Sequence, residues 1–156
     1  MRFETPFGTA WASFDSNGAV TEFGFRPPEE TNGNGSGNSA AAVHQIEEFF
    51  AGKRQVFDCV LAPRGTQFQK RVWAELMKIP FGETISYGEL ARRIGNPAAS
   101  RAVGHANGQN PIAVIVPCHR VIGANGKLTG YGGGLDLKEK LLVWEKAIVS
   151  EEGLKS

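Results

Sequence analysis

The chain has 156 residues, of which 41% are hydrophobic and 21% are charged. These values are ordinary for a globular protein and exclude wholesale disorder and fibrous repeats. The formal charge of +1 is unevenly spread, because residues 1–62 hold 4 Lys or Arg against 8 Asp or Glu, whereas residues 63–156 hold 13 against 8. The second part is therefore the better candidate to face a polyanion such as nucleic acid.

The sequence also indicates where the protein works. No apolar run approaches the ~20 residues that a membrane span needs, so we expect no membrane partner. Residues 1–6 do not form the charged and then apolar segment of a secretory signal. The two cysteines, Cys59 and Cys118, are too few for a disulfide scaffold. We expect a cytoplasmic protein of bacterial type, or a nuclear one in a eukaryote.

The first part of the chain predicts a small sheet and one helix. Residues 7–14 and 20–25 are short apolar runs separated by turn residues, which fits a β-hairpin. Residues 31–42 are low in complexity and predict a flexible loop. Residues 43–51 have helical apolar spacing. Residues 56–61, which include Cys59, predict a strand.

The second part predicts a helix-turn-helix preceded by another helix. Thr66 and Gln69 form a capping-box pattern that opens a helix ended by residues 80–82, and Ser86 with Glu89 opens the next one over residues 87–94. Gly95 is placed to end that helix, after which Asn96 and a proline open a helix over residues 97–107. Two short helices joined by so tight a turn are typical of the helix-turn-helix. The first of these helices has the apolar face Phe68, Val72, Trp73, Leu76 and Ile79. The helix over residues 97–107 is expected to bury Ala99, Ala102, Val103 and Ala106.

The exposed face of the second short helix is unusual. It carries Ser100, Arg101, Gly104, His105 and Gly108, so one arginine stands among small residues. Such a face suits close approach to a narrow groove of nucleic acid, with Arg101 as the single probe. It equally suits a helix packed against another element, and the residues alone leave both interpretations open.

The remaining elements surround Cys118. Residues 112–116 are an aliphatic run typical of a buried strand, and Asn125-Gly126 is a strong hairpin signal. Residues 131–134 predict a glycine-rich loop whose backbone a ligand or another segment can approach closely. Residues 135–148 predict a closing amphipathic helix. Its apolar positions are Leu137, Leu141, Leu142, Trp144 and Ile148.

Cys118 differs from an inert buried cysteine in its neighbours, because His119 and Arg120 follow at once. A free thiol of pKa about 8.5 is only slightly ionised at neutral pH, and a histidine that takes its proton is the usual means of activation. Neighbouring side chains on a strand point to opposite faces, so we expect a tight turn or a bridging water between the two. The histidine also needs a carboxylate partner, and spacing leaves both Glu145 and Glu139 open.

Other chemistries fit less well. Two separated cysteines and three histidines do not supply a metal site readily, and Val121 occupies the position where a zinc deaminase has its second cysteine. The phosphate-binding glycine loop is missing, and the surroundings of a papain-like cysteine are absent. We expect neither a metal nor a cofactor.

The run Ile-Val-Pro-Cys-His-Arg-Val-Ile at residues 115–122 resembles the active-site signature of the O6-alkylguanine-DNA alkyltransferases, the methylated-DNA–protein-cysteine methyltransferases. The resemblance extends from about Gly65 to Glu145. Residues 85–91 are similar to the first helix of the family's helix-turn-helix, and residues 95–104 to its recognition helix. Asn110-Pro111 and residues 131–135 match as well.

The resemblance implies irreversible, single-turnover transfer of an alkyl group from O6 of guanine, less readily from O4 of thymine, to Cys118. It implies that His119 is the base, acting through water, that Glu145 orients His119, and that Tyr87 lies beside the DNA phosphate and the leaving guanine. Arg101 would replace the flipped nucleotide, and Asn110 would brace the turn before Cys118. The implied DNA and guanine contacts further include Ser100, Gly104, Arg120, Val121, Tyr131, Gly132 and Gly133.

We therefore predict an α+β fold with two domains and a tail. Residues 1–62 form a small β-sheet and helix domain, residues 63–150 a mostly helical DNA-binding and alkyl-transfer domain with a winged helix-turn-helix-like motif, and residues 151–156 the tail. The expected partner is double-stranded DNA containing O6-alkylguanine, read from the minor groove with little sequence dependence by a monomer.

The chain departs from parts of the family pattern. It lacks the ligands with which some members bind a structural zinc ion and carries Gly132 where some relatives have serine. We also expect no additional transcription-factor module. A non-catalytic module that senses alkylated bases for other repair machinery is the alternative function. Members that only sense damage carry tryptophan in place of the cysteine, so Cys118 favours a transferase.

Overall fold

The structure is a computed structural model that describes residues 1–27, 39–123 and 135–155, with side chains of the last helix described for residues 136–150. Within these ranges the chain forms a small antiparallel sheet, a two-stranded parallel pair and five α-helices. The α+β prediction is confirmed. The predicted hairpin at Asn125-Gly126 and most of the predicted loop 31–42 lie outside the described residues.

The contacts divide the chain into two compact units. The first comprises residues 1–64 and 111–115, and the second comprises residues 65–110 and 116–156. The sequence analysis placed residues 111–115 in the C-terminal domain. They belong to the first unit because the backbone of Phe23 pairs with them, donating to the Pro111 carbonyl and accepting from the N–H of Ala113.

The sheet of the first unit runs β1 (Arg2–Thr5), β2 (Gly8–Phe14) and β3 (Val20–Gly24), all antiparallel. The predicted hairpin is β2–β3, and its turn is held by the Asp15 carboxylate, which accepts from the N–H groups of Asn17 and Ala19. Alternate residues of β2 are buried, as expected for a sheet with one face on the core. Helix α1 (Ala40–Phe50) begins three residues earlier than predicted. The core of this unit includes Phe3, Ala10, Ala12, Phe14, Val20, Phe23, Ile46 and Phe49.

Two strand predictions are wrong. Residues 56–61 form only a bridge between Leu61 and Val20, because the side-chain oxygen of Gln45 accepts the N–H groups of Asp58 and Cys59 that a neighbouring strand would need. Residues 112–116 are largely buried, but only Ile112 forms a bridge. Val114 then takes a φ of 68°, which bends the chain into turns.

The second unit begins with α2 (Gln67–Leu76), whose predicted capping box is confirmed. The Thr66 side chain accepts from the N–H of Gln69, and the Gln69 side chain accepts from the N–H of Thr66. Helix α2 buries Val72, Trp73 and Leu76, and the Trp73 indole N–H donates to the Ala106 carbonyl at 2.8 Å. This bond joins α2 to α4.

Helices α3 (Tyr87–Arg93) and α4 (Ser100–Gly108) pack against each other as the predicted helix-turn-helix. Gly95 ends α3 at a φ of +82°, where its N–H donates to Arg92 and that of Asn96 to Ala91. A 3-10 helix (Pro97–Ala99) leads into α4. Ala102 was predicted to be buried and is exposed, whereas Val103, Ala106 and Asn107 form the buried face.

The last elements enclose the signature segment. A 3-10 helix (Cys118–Arg120) is followed by β5 (Val121–Ile122), which pairs in parallel with β4 (Ile85–Ser86). Helix α5 (Leu135–Lys155) covers this segment. No helix among the described residues is long and apolar enough to cross a membrane.

Candidate active site

Cys118 is the first residue of the 3-10 helix and is 5% exposed. Its backbone N–H donates to the Val116 carbonyl at 2.8 Å, and the N–H of Arg120 donates to Pro117 at 3.0 Å. The tight turn that we expected therefore replaces an extended strand at this point. Because neighbouring residues of a 3-10 helix are about 120° apart, Cys118 and His119 are not forced onto opposite faces.

The surroundings of the thiol act on its pKa in opposite directions. Burial raises the pKa of Cys118 above its usual value. A hydrogen bond from Asn110, the charge of Lys138, and the backbone N–H groups of Cys118 and His119 act against burial. Burial thus keeps the thiol neutral at rest. The surrounding hydrogen-bond donors and the lysine charge stabilise the thiolate once a proton acceptor removes the proton.

His119 and Glu145 form a buried pair. The Nε2 atom of His119 lies 2.7 Å from Oε2 of Glu145, and both side chains are fully buried. Burial lowers the pKa of His119, while the hydrogen bond and charge of Glu145 oppose this effect. Nδ1 is buried without a protein partner among the described residues. The imidazole is therefore neutral and oriented, and it can exchange a proton through Nδ1.

Helix α5 settles which carboxylate meets the histidine. Glu139 is exposed, whereas Glu145 lies one turn after the buried Leu141 and points inward. The Glu145 carboxylate also accepts from the N–H of Gly82 at 3.2 Å, where a φ of +84° turns the backbone toward it. Burial raises the pKa of Glu145, but the contacts with His119 and Arg120 outweigh burial and bring it to about 2.

Arg120 requires a correction. The family resemblance predicted that Arg120 contacts DNA, but its side chain is buried. Its Nε and Nη2 atoms each donate to a different oxygen of Glu145 at 2.9 Å, and Nη1 donates to the Ile79 carbonyl at 2.8 Å. A bidentate pair of this kind fixes the plane of the carboxylate. Arg120 therefore holds Glu145 in place.

Sequence reasoning missed two buried polar residues of this site. Asn107, on α4, donates from its side chain to the Cys118 carbonyl at 3.3 Å. Lys138, on α5, is fully buried and donates to the Val121 carbonyl at 2.6 Å. Helical spacing could have indicated that Lys138 is buried, because it lies three residues before Leu141 and seven before Glu145, on the same face of the helix.

Asn110 and Val121 lie beside Cys118. The side-chain amide of Asn110 donates to the Val116 carbonyl at 2.8 Å, so it holds the turn that leads to the cysteine. Val121 is fully buried, and its carbonyl accepts from Lys138. Three further predicted site residues lie outside the described part of the chain, and they are Tyr131, Gly132 and Gly133.

The exposed face of α4 carries the residues that the sequence predicted for it. Ser100, Arg101 and His105 are exposed, and Gly104 is half-buried. A Cβ atom on Gly104 would lie 3.5 Å from the Tyr87 ring, so that ring packs against the glycine. The structure thus brings Tyr87 next to the helix that carries Arg101. In the described ranges, no three His, Cys, Asp or Glu side chains converge as metal ligands would.

The chain matches a family model of a DNA-binding domain. The model describes the 6-O-methylguanine DNA methyltransferase DNA-binding domain and matches residues 67–147. The methylated-DNA–protein-cysteine methyltransferase of Methanosarcina acetivorans is 66% identical over 104 residues, which make up 67% of this chain and 67% of that protein. The protein of the same name from Mycolicibacterium paratuberculosis is 63% identical over 107 residues, 69% of this chain and 65% of that one. The chain thus spans about two thirds of the length of these relatives.

Solved structures cover more of the chain. The crystal structure of Mycobacterium tuberculosis OGT in complex with DNA has a TM-score of 0.82 and 49% identity, over 94% of this chain and 92% of that one. The structure of the Mycobacterium tuberculosis O6-methylguanine methyltransferase has a TM-score of 0.81 and 48% identity, over 94% and 91% of the two chains. The similarity therefore includes both units.

Proposed function

The chain belongs to the methylated-DNA–protein-cysteine methyltransferase family, and from this membership we propose that it repairs DNA by moving an alkyl group from O6 of guanine to its own Cys118. The observation that carries the proposal is the position of Cys118 in a tight turn directly before the buried His119–Glu145 pair. The thioether that forms is stable, so each molecule acts once.

The transfer step uses the site as follows. The Cys118 proton passes through a water molecule to Nδ1 of His119, whose imidazolium is stabilised by Glu145. The thiolate attacks the alkyl carbon, the sulfur–carbon bond forms and the carbon–O6 bond breaks. The bonding electron pair goes to the guanine, which takes up through water the proton held by His119 and stays in the DNA as the unmodified base. Asn110 holds the thiolate through its side-chain hydrogen bond.

The target oxygen lies inside the duplex, so the base must leave the stack before the reaction, at a cost of a few kcal/mol. Arg101 is exposed on α4 among small residues, which allow the helix backbone to approach the minor groove. We assign to Arg101 the place of the extruded nucleotide and to Tyr87 a contact beside it. Ser100 and Gly104 would follow the DNA backbone, giving affinity with little sequence preference.

The experiment is intact-protein mass spectrometry after mixing with a duplex that contains one O6-methylguanine, followed by peptide mapping. We expect a single added methyl group on the Cys118 peptide and no second turnover. Cys118→Ala should bind the duplex and stay unmodified, whereas Cys59→Ala, the matched control at the other cysteine, should react as the parent does. An unmodified parent that still binds the lesion would instead indicate the damage-sensing function.

We infer recognition of O6-alkylguanine in double-stranded DNA from the minor groove, by a monomer in the cytoplasm. The modest positive excess of residues 63–156 supports contact with phosphates. Affinity that does not fall as salt is added would contradict this mode of binding.

A further inference from the structure

The outer face of α4 carries a second long polar side chain that the proposed transfer step does not use. Arg101 and His105 are both exposed, and because they are four residues apart they are neighbours on one side of the helix. The opposite side is fixed by the buried Val103, Ala106 and Asn107, and Asn107 joins it to the turn that carries the nucleophile. His105 therefore faces the same surroundings as Arg101.

Small residues accompany these two side chains on the exposed surface of the helix. Apart from Arg101 and His105, the exposed residues of α4 are serine, alanine and glycine. The Tyr87 ring covers part of the same face, because a Cβ atom on Gly104 would lie 3.5 Å from it. A surface that approaches α4 from outside is thus met by the guanidinium and the imidazole.

The acidic side chains on the elements that pack against α4 have cationic partners of their own. Helix α4 packs against α2, α3 and the 3-10 helix at residues 97–99, and neither α4 nor that 3-10 helix contains an aspartate or glutamate. On α2 the Glu75 carboxylate is bound by Lys78, and on α3 the Glu89 carboxylate is bound by Arg92 and Arg93. The other ionisable groups of α2 and α3 are Lys70, Arg71 and Tyr87. These elements therefore hold no spare anion for His105, and a complementary anion comes from a binding partner.

We propose that His105 is a further DNA-binding residue, and that its protonated ring donates to a phosphate at the rim of the groove that Arg101 enters. This inference rests on the proposed function, which places α4 in the minor groove. That groove is about 6 Å wide and one helical turn advances about 5.4 Å, so a side chain one turn from Arg101 is within reach of the phosphates. Histidine changes its charge between pH 5 and pH 8, and a charge-assisted hydrogen bond to phosphate is much stronger than a neutral one. Affinity for DNA therefore increases as the pH falls.

A purely structural role of His105 makes a different prediction. His105 lies in the last turn of α4, where a positive charge interacts favourably with the carbonyl end of the helix. This interaction is present in the free protein and in the DNA complex alike, so it changes stability and leaves affinity unchanged. Affinity that increases with acidity requires, by linkage, that DNA binding takes up protons. The pH dependence of DNA binding therefore separates the two roles.

The experiment measures binding to an unmodified duplex by fluorescence anisotropy, at pH 5.5 and pH 8, between 50 and 200 mM salt. One additional phosphate contact makes the slope of log K against log salt steeper by about 0.9, which is an additional loss of affinity of about 3.5-fold over this range. We expect the parent to show this steeper slope at pH 5.5, and His105→Gln to keep the shallower slope at both pH values. His105→Lys, which is charged throughout, should have the steeper slope at both. His44→Gln is the matched control, since His44 is exposed on α1 and lies 3.4 Å from Glu48.

A His105→Gln protein with the parent's slope at pH 5.5 would overturn the proposal, and so would a parent whose slope is the same at both pH values. His105 is exposed, so these substitutions leave the core of the unit unchanged. Methyl transfer by the parent, followed separately by mass spectrometry, keeps the proposed function distinguishable. A parent that transfers the methyl group but shows no change of slope rejects the role of His105 alone, whereas a parent that binds no DNA at either pH rejects both.

Discussion

The Nε2 atom of His119 lies 2.7 Å from Oε2 of Glu145, and both side chains are fully buried. Because Glu145 is ionised and accepts only, this contact requires the proton of the neutral imidazole to be on Nε2. Nδ1 is then the nitrogen without a proton, and it is the one that has no protein partner among the described residues. One hydrogen bond therefore selects which atom of His119 can act as the base.

Glu145→Gln should slow the transfer without abolishing it. The amide can no longer stabilise the imidazolium or fix the tautomer, and general base catalysis contributes a factor of about 10²–10⁴. We expect a loss of at least about tenfold in the single-turnover rate constant, measured on duplex DNA with one O6-methylguanine. Glu139→Gln, at an exposed position of the same helix, should react like the parent. Equal rates in the two variants would remove Glu145 from the mechanism.

The same carboxylate should make stability depend on acid pH. The folded pKa of Glu145 is about 2, below its ordinary value of 4.5, so its contribution is complete above about pH 5 and disappears as the pH falls toward 2. The shift corresponds to roughly 3 kcal/mol, of which roughly 2 kcal/mol is lost between pH 6 and pH 3. Urea unfolding at these two pH values should show that the parent loses about this much more than Glu145→Gln. An equal loss in both proteins would contradict the assigned pKa.

Local signals predicted the helices of the second unit well, because capping and helix ends depend on a few neighbouring residues. The Thr66 capping box and the positive φ of Gly95 are both found. The strand prediction at residues 112–116 failed because an apolar run indicates burial and not a hydrogen-bonding partner. At residues 56–61 the side-chain oxygen of Gln45 accepts hydrogen bonds from the N–H groups of Asp58 and Cys59, which a neighbouring strand would otherwise need.

The sequence predicted the nucleophile and the base of the site, but it did not predict the buried charged residues Arg120 and Lys138 or decide on Glu145 by spacing. Cys118 and His119 stand next to each other in the sequence, and their chemistry is local. The choice of Glu145 over Glu139 depends on which face of α5 is buried, and spacing left it open. Arg120 was placed among the DNA and guanine contacts on the family resemblance, whereas its side chain binds Glu145, 25 residues away.

Trp73→Phe tests the bond that joins α2 to α4. The ring volume is largely retained, but the Ala106 carbonyl loses the indole donor that reaches it at 2.8 Å. The carbonyl keeps the bond that the N–H of Gln109 donates to it at 3.2 Å, so the loss of the indole bond should lower the free energy of unfolding by about 0.5–1.5 kcal/mol. Trp11→Phe, at a half-buried position of β2, serves as the control and should lose less. Urea unfolding of both variants provides the comparison.

Arg120→Met should destabilise the protein and leave its DNA contacts intact. Removing the guanidinium takes from the buried Glu145 carboxylate its charged partner and leaves it the hydrogen bonds of neutral His119 and the Gly82 N–H, and breaking a buried pair costs about 3–5 kcal/mol. The salt dependence of DNA binding, measured where the variant is folded, should keep the parent's slope. If Arg120 contacted a phosphate, that slope would fall by about one. This measurement separates the buried assignment from the one that the sequence suggested.

Arg101→Ala should impair the reaction in a way that depends on the form of the DNA. If Arg101 fills the place of the extruded base, its loss makes extrusion from a duplex more costly by part of the few kcal/mol that unstacking requires. Single-stranded DNA needs no base pair broken, so the rate on a single strand should change much less than the rate on a duplex. The matched control is Arg93→Ala, because Arg93 lies on α3 and is engaged by Glu89 at 3.2 Å. An equal loss on both DNA forms would mean that Arg101 contributes only general attraction to phosphates, and the extrusion role would have to be given to another residue.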